Sequence, residues 1–253
     1  MLDLLRLRAR ADRTSGRGVR CGTQSPIRAA MDEIEYARGR LALVRGRIAA
    51  AAKLAGRDLS TVELIAVSKT QPVEVITSLI AAGQRSFGEN RVQEAQAKWP
   101  TLRSAHADLR LHLVGQLQSN KAADAVELFD AIHSIDRPSL LAALAKAMSD
   151  AKRRPDCYVQ VNVGGEPQKG GCLVAELPAL LAEAARLEVP IKGLMCVPPD
   201  SIEAAPFFAL LTKLSRDHQL GGLSMGMSGD FDTAVMLGAT CVRVGTALFG
   251  VRA

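Results

Sequence analysis

The sequence predicts an α/β chain folded as a single (β/α)₈ TIM barrel with an additional amino-terminal helix. Three observations lead there. Eight short, β-branched apolar runs alternate with helical segments, the signature of repeated βα units around a parallel sheet. The 253 residues are enough to bury one such core. No run is followed by the G-x-G-x-x-G turn of a doubly wound open sheet, the runner-up architecture.

In chain order, the first strong pattern begins at Asp32. Ile34, Ala37, Leu41, Val44, Ile48, Ala51 and Ala55 recur three and four apart, Asp32, Glu33 and Glu35 open the first turn, and Gly56 is placed to end it. This predicts one long amphipathic helix. The apolar runs then fall at 62–67, 85–87, 111–114, 131–135, 158–163, 191–197, 222–225 and 240–244. Between them, segments such as 73–82, 139–149, 174–187 and 202–215 carry Leu/Ala periodicity, with Pro72 and Pro138 at helix starts, where a missing N–H costs nothing. Asp136 is expected to cap the helix that follows it, and Ser119 or Asn120 the helix after the third run. No linker or repeat interrupts the pattern, so residues 31–253 are expected to form one domain.

Residues 1–30 are different. They hold seven Arg and two acids, a short leucine cluster and no apolar centre of a secretory signal. They are expected to be a basic, disordered extension or upstream residues ahead of a second start at Met31, with a transit peptide as the alternative. Their charge also explains the overall +6, because the remainder holds 25 basic and 24 acidic residues. With no basic stripe and few aromatics, nucleic acid is not an expected partner. Five scattered cysteines show neither metal-ligand spacing nor a disulfide framework, which fits a cytoplasmic setting, and no apolar run reaches the roughly 18 residues of a membrane span. The expected state is a soluble monomer without a metal.

In a barrel, reactive groups sit where strands end. The first strand ends at Lys69. A lysine in a partly desolvated mouth can form a Schiff base with an aldehyde, and the alternative is a side chain snorkelling to solvent. The exits of strands seven and eight carry Gly226, Ser228, Gly245 and Thr246. Glycines and hydroxyls there suit a phosphate cradle, whereas tight turns would explain the glycines alone. Arg243 lies inside a strand buried on both faces and needs an acceptor, either a ligand atom such as a pyridine nitrogen or a carboxylate within the barrel. Polar strand ends such as Glu89-Asn90, His133 and Asn162 are expected mainly as supporting or capping groups.

Six segments in order, LIAVSKT (64–70), FGEN (87–90), HLVGQLQSNK (112–121), GLM (193–195), LSMGMS (223–228) and VRVGTALFG (242–250), resemble the pyridoxal-phosphate homeostasis protein family. The resemblance runs from about Met31 to Gly250. It implies the barrel of the alanine racemase amino-terminal domain and pyridoxal 5′-phosphate (PLP) held as an aldimine on Lys69. It further implies phosphate binding by Ser228, Gly245 and Thr246, Arg243 near the pyridine nitrogen, and Asn90 and Asn162 along the ring. One departure is visible: where the family often has two acids after Met-Ser, Gly229 precedes Asp230. The function expected on this basis is that of a carrier that takes part in PLP homeostasis and serves apo PLP-dependent enzymes without turnover. The rivals are a PLP-dependent amino-acid racemase, or related enzyme of the same fold type, and a phosphosugar-binding barrel enzyme without organic cofactor. A racemase needs a second base opposite Lys69. Tyr36, Tyr158 and His133 are the residues to examine, and Lys121 and Lys169 are the rival loop lysines.

Overall fold

The computed structural model describes residues 26–200 and 202–250. Eight parallel strands, β1 (Glu63–Val67), β2 (Ser86–Glu89), β3 (Arg110–Leu113), β4 (Ala131–Ile135), β5 (Asp156–Gln160), β6 (Ile191–Met195), β7 (Gly222–Ser224) and β8 (Cys241–Val244), pair in chain order. The β1–β8 pairing closes the sheet, with Ile65 opposite Arg243 and Ala66 opposite Val244. All eight apolar runs form strands, because each is too short for a helix and is bounded by turn residues.

Helices α1 (Pro26–Leu54), α2 (Val73–Ala81), α3 (Val92–Ala105), α4 (Ala122–Leu128), α5 (Pro138–Ala151), α6 (Leu177–Arg186), α7 (Ala205–Asp217), α8 (Phe231–Met236) and α9 (Thr246–Phe249) surround the sheet. Among the described residues, the segment after β8 forms the single turn α9. The long α1 packs against α2, α8 and α9 and so covers the seam between β1 and β8. The amino-terminal helix is thus more than an addition, because it fills the place of a full-length eighth helix. It also begins earlier than its acidic residues suggest. Pro26 suits a first helical position, and nothing between it and Asp32 breaks the helix.

Three local expectations are corrected. Asp136 does not cap α5; its carboxylate pairs with Arg137 at 2.6 Å. Ser119 lies in a short 3₁₀ turn (Ser119–Lys121) and accepts from Arg137 Nη2 at 3.3 Å. Asn120 lies in the same turn, and the cap position of α4 falls on Lys121. Strand β5 ends at Gln160 because Val161 pairs in isolation with Cys172, pinching 162–171 into a loop.

Along each strand, side chains alternate between the barrel interior and the helical ring. Leu64 and Ala66 join the core against the helices, whereas Glu63, Ile65 and Val67 share the inward face. Cys157, Cys172, Cys196 and Cys241 are buried free thiols, and burial raises the pKa of each. No helix among the described residues is long and apolar enough to cross a membrane.

Among the residues of α1 whose burial is described, Ala37 is the first that is buried, and we propose that residues 31–253 suffice for the domain. A protein starting at Met31 should unfold in one transition with a Tm within about 4 °C of the full chain. A loss of roughly 10 °C or more would show that residues 1–30 contribute packing.

Candidate functional site

Strand β1 delivers Lys69 to the carboxy-terminal mouth of the barrel, and the residues on either side of it are fixed. Thr70 has φ +62°, a left-handed conformation that costs a β-branched residue about 1–2 kcal/mol and needs outside support. Glu94 of α3 gives that support by accepting the Thr70 N–H. On the other side, Ser68 donates its hydroxyl to Glu89 at 2.8 Å, and its carbonyl accepts from Lys98 at 3.2 Å. Glu89 is fully buried, receives Trp99 Nε1 at 3.1 Å and pairs with Lys98 at 2.8 Å. This lysine also pairs with Glu94, so one cation joins both halves of the clamp. The Lys69 amine itself makes no hydrogen bond or ion pair among the described residues.

Lys69 lines a cavity of about 420 Å³ together with Asn90, Ser228, Arg243, Gly245 and Thr246. Six of the seven residues singled out in the sequence therefore share one wall-to-wall site. The loops after β7 and β8 meet where the Ser228 hydroxyl accepts the Ala247 N–H at 3.2 Å. Backbone N–H groups of Ser228, Gly229, Gly245 and Thr246 have no partner among the described residues, leaving donors suited to an anion. Gly226 is required by the turn: its φ is +92° and a Cβ would lie 2.5 Å from that of Ala234. Asp230, the remaining acid of this loop, accepts the Met227 N–H at 2.6 Å and holds the turn closed.

Arg243 is 5% exposed, donates to Ser224 Oγ and to the Cys196 carbonyl at 2.8 Å each, and borders the cavity. No carboxylate among the described residues lies within ion-pair distance of it, so the intra-barrel ion pair is not formed. Burial lowers its pKa and makes an acceptor in the cavity valuable.

Asn162 does not join this site. Its amide donates to the Glu166 carbonyl at 2.8 Å and accepts the Glu166 N–H at 3.2 Å, shaping the loop after β5. The rival lysines are engaged elsewhere: Lys121 with Asp124 at 3.1 Å, and Lys169 with Glu166 at 3.0 Å and the Pro198 carbonyl at 2.8 Å. Tyr36 is exposed on α1. His133 is fully buried and stacks on Tyr158 with ring centres 4.3 Å apart, and neither borders the cavity. Sequence reasoning missed the Glu89–Lys98–Glu94 clamp. Its one signal was a carboxylate closing an otherwise apolar strand.

Deep in the barrel, Glu63 accepts the Ser86 hydroxyl at 2.6 Å and lies 3.5 Å from His112 Nε2. Burial works against its charge, but His112, Ser86 and the positive charge of Arg110 outweigh it and hold the pKa down to about 2.

The alanine racemase, N-terminal domain family matches residues 41–253. A pyridoxal phosphate homeostasis protein of Pseudomonas aeruginosa is 43% identical over 218 residues, covering 84% of this chain and 94% of that protein. The structure of PipY from Synechococcus elongatus with PLP bound superposes with a TM-score of 0.69 at 41% identity, covering 80% of this chain and all of that one. Alanine racemase of Clostridium difficile, at 16% identity and a TM-score of 0.63, shares the fold over 86% of this chain and 56% of its own.

The low pKa of Glu63 has a definite sign. Its contribution to stability is present above the ordinary value near 4.5 and is lost as pH falls toward 2. Glu63→Gln should therefore cost up to about 3 kcal/mol of unfolding free energy near pH 6, and the difference from wild type should shrink toward zero near pH 2. Denaturant unfolding across that range checks it, and a pH-independent difference would refute the charge-based account.

Proposed function

The chain belongs to the pyridoxal phosphate homeostasis protein family, and on that premise we propose that it holds PLP at the barrel mouth without turning over a substrate. The observation that carries this reading is the convergence in one cavity of an unengaged lysine amine, a buried guanidinium and a set of free backbone N–H groups. The three match the three chemical features of the cofactor. When bound, PLP supplies an aldehyde that a lysine amine captures, and Lys69 is the lysine placed to do so. Ser228, Gly245 and Thr246 would take the phosphate, Arg243 would face the ring nitrogen, and Asn90 would lie beside the ring. Asn162 would contribute only by shaping its loop. PLP in the PipY structure, at 41% identity, supports the choice of this cofactor over a phosphosugar.

The surroundings of Lys69 support the absence of turnover. A racemase needs a base on each face of the substrate. Tyr36 is on the outer surface of α1, and Tyr158 lies below the cavity. His133, the remaining candidate, has both ring nitrogens within hydrogen-bond distance of His112 and Ser224. The name of the Pseudomonas relative, a homeostasis protein, points the same way. The reading extends to a cytoplasmic, monomeric carrier from which apo PLP-dependent enzymes draw cofactor.

Borohydride reduction of the PLP-loaded protein, followed by peptide mass analysis, tests the assignment. The pyridoxyl group should be found on the peptide containing Lys69, and Lys69→Ala should lose the visible absorption band. An adduct mainly on Lys121 or Lys169, or an unchanged band in Lys69→Ala, would refute it.

A further inference from the structure

Beneath the cavity, four side chains from four strands are hydrogen-bonded in series, and Glu63 of a fifth strand lies just beyond them. Arg243 Nη1 donates to Ser224 Oγ at 2.8 Å, which lies 2.8 Å from His133 Nδ1. His133 Nε2 lies 3.0 Å from His112 Nδ1, and His112 Nε2 lies 3.5 Å from Glu63 Oε1. Arg243, Ser224, His133 and His112 are each at most 5% exposed. Only Arg243 borders the cavity.

The direction of every proton in this chain follows from its first member. Arginine can only donate, so Ser224 Oγ accepts from Arg243. The buried hydroxyl proton then needs its own acceptor, and among the described residues His133 Nδ1 is the one within reach. A His133 that accepts at Nδ1 carries its proton on Nε2 and donates to His112 Nδ1. His112 then accepts at Nδ1, and its Nε2 faces the Glu63 carboxylate. The reverse arrangement, with a proton on His133 Nδ1, would leave the Ser224 hydroxyl hydrogen buried without a partner. Stacking on Tyr158 at an interplanar angle of 14° holds the His133 ring in the orientation that this chain requires. Burial lowers the pKa of His133 well below the ordinary value, in keeping with a neutral ring.

We propose that His133 is a positioning residue for Arg243: through Ser224 it fixes the guanidinium so that its remaining N–H groups face the cavity in the orientation the cofactor ring requires. The inference rests on PLP being the occupant of the cavity. Without the His133 ring, the Ser224 hydroxyl turns freely, and Arg243 loses the directionality of one of its two anchors.

Two measurements on the full-length protein decide it. In the cofactor-free wild type, ¹⁵N NMR of the imidazoles should show His133 neutral with its proton on Nε2. A proton on Nδ1, or an imidazolium, overturns the proposal. In the loaded protein, His133→Leu should weaken PLP binding about tenfold, as expected for disturbing a hydrogen bond to a charged group, and should shift the visible band. His133→Asn, whose amide oxygen can replace Nδ1 as acceptor for Ser224, should restore both to within about threefold. Leu behaving as wild type, or Asn as poorly as Leu, overturns it. Where His133→Leu fails to fold, Ser224→Ala gives the same readout. A wild type that takes up no PLP would defeat the cofactor reading itself, and the tautomer result would still decide whether His133 anchors Arg243.

Discussion

A buried guanidinium with no carboxylate beside it is the constraint on which the site depends. Bringing a charge out of water into a barrel costs several kcal/mol even after relaxation. The fold meets that cost with one carbonyl, one hydroxyl and the charge of Asp230 at a distance, and leaves part of the guanidinium bordering the cavity. Because β8 pairs with β1 so that Arg243 lies opposite Ile65, the cation sits just below the level at which β1 releases Lys69. An amine, a permanent donor and an anion cradle are therefore set at fixed heights around one opening. A ligand that fills it needs an electrophilic carbon, a ring acceptor and an anionic group, which describes a phosphorylated pyridine aldehyde.

The second constraint is rigidity beside Lys69. A threonine in a left-handed conformation persists only where its surroundings impose it. Here α3 does so, since Glu94 holds Thr70 while Lys98 and Glu89 hold Ser68. The flanking backbone is thereby fixed while the Lys69 amine makes no hydrogen bond or ion pair among the described residues, as suits the proposed capture of an aldehyde.

Local signals made much of this legible in the sequence. Eight apolar runs between turn residues give the barrel, and a lysine two residues beyond an apolar strand and hydroxyls among glycines in the last two loops give residues that line one cavity. What stayed hidden depends on contacts between distant segments. Asn162 was expected along the ring from the family resemblance, but β5 stops at Gln160 and the side chain hydrogen-bonds within its own loop. The Glu89 clamp and the Ser224–His133–His112 chain join strands far apart in sequence, and only closure of the barrel brings them together. Helix α1 was legible as a helix, yet its role in covering the β1–β8 seam follows from α9 being a single turn.

These features suit the proposed cofactor site, and among the described residues no second base lines the Lys69 cavity. Incubating the PLP-saturated protein with a panel of L- and D-amino acids, and following enantiomer ratio, carbon dioxide and keto acid, tests this most directly. The account predicts rates no higher than those of free PLP. Turnover well above that level, abolished in Lys69→Ala, would contradict it and make the protein an enzyme.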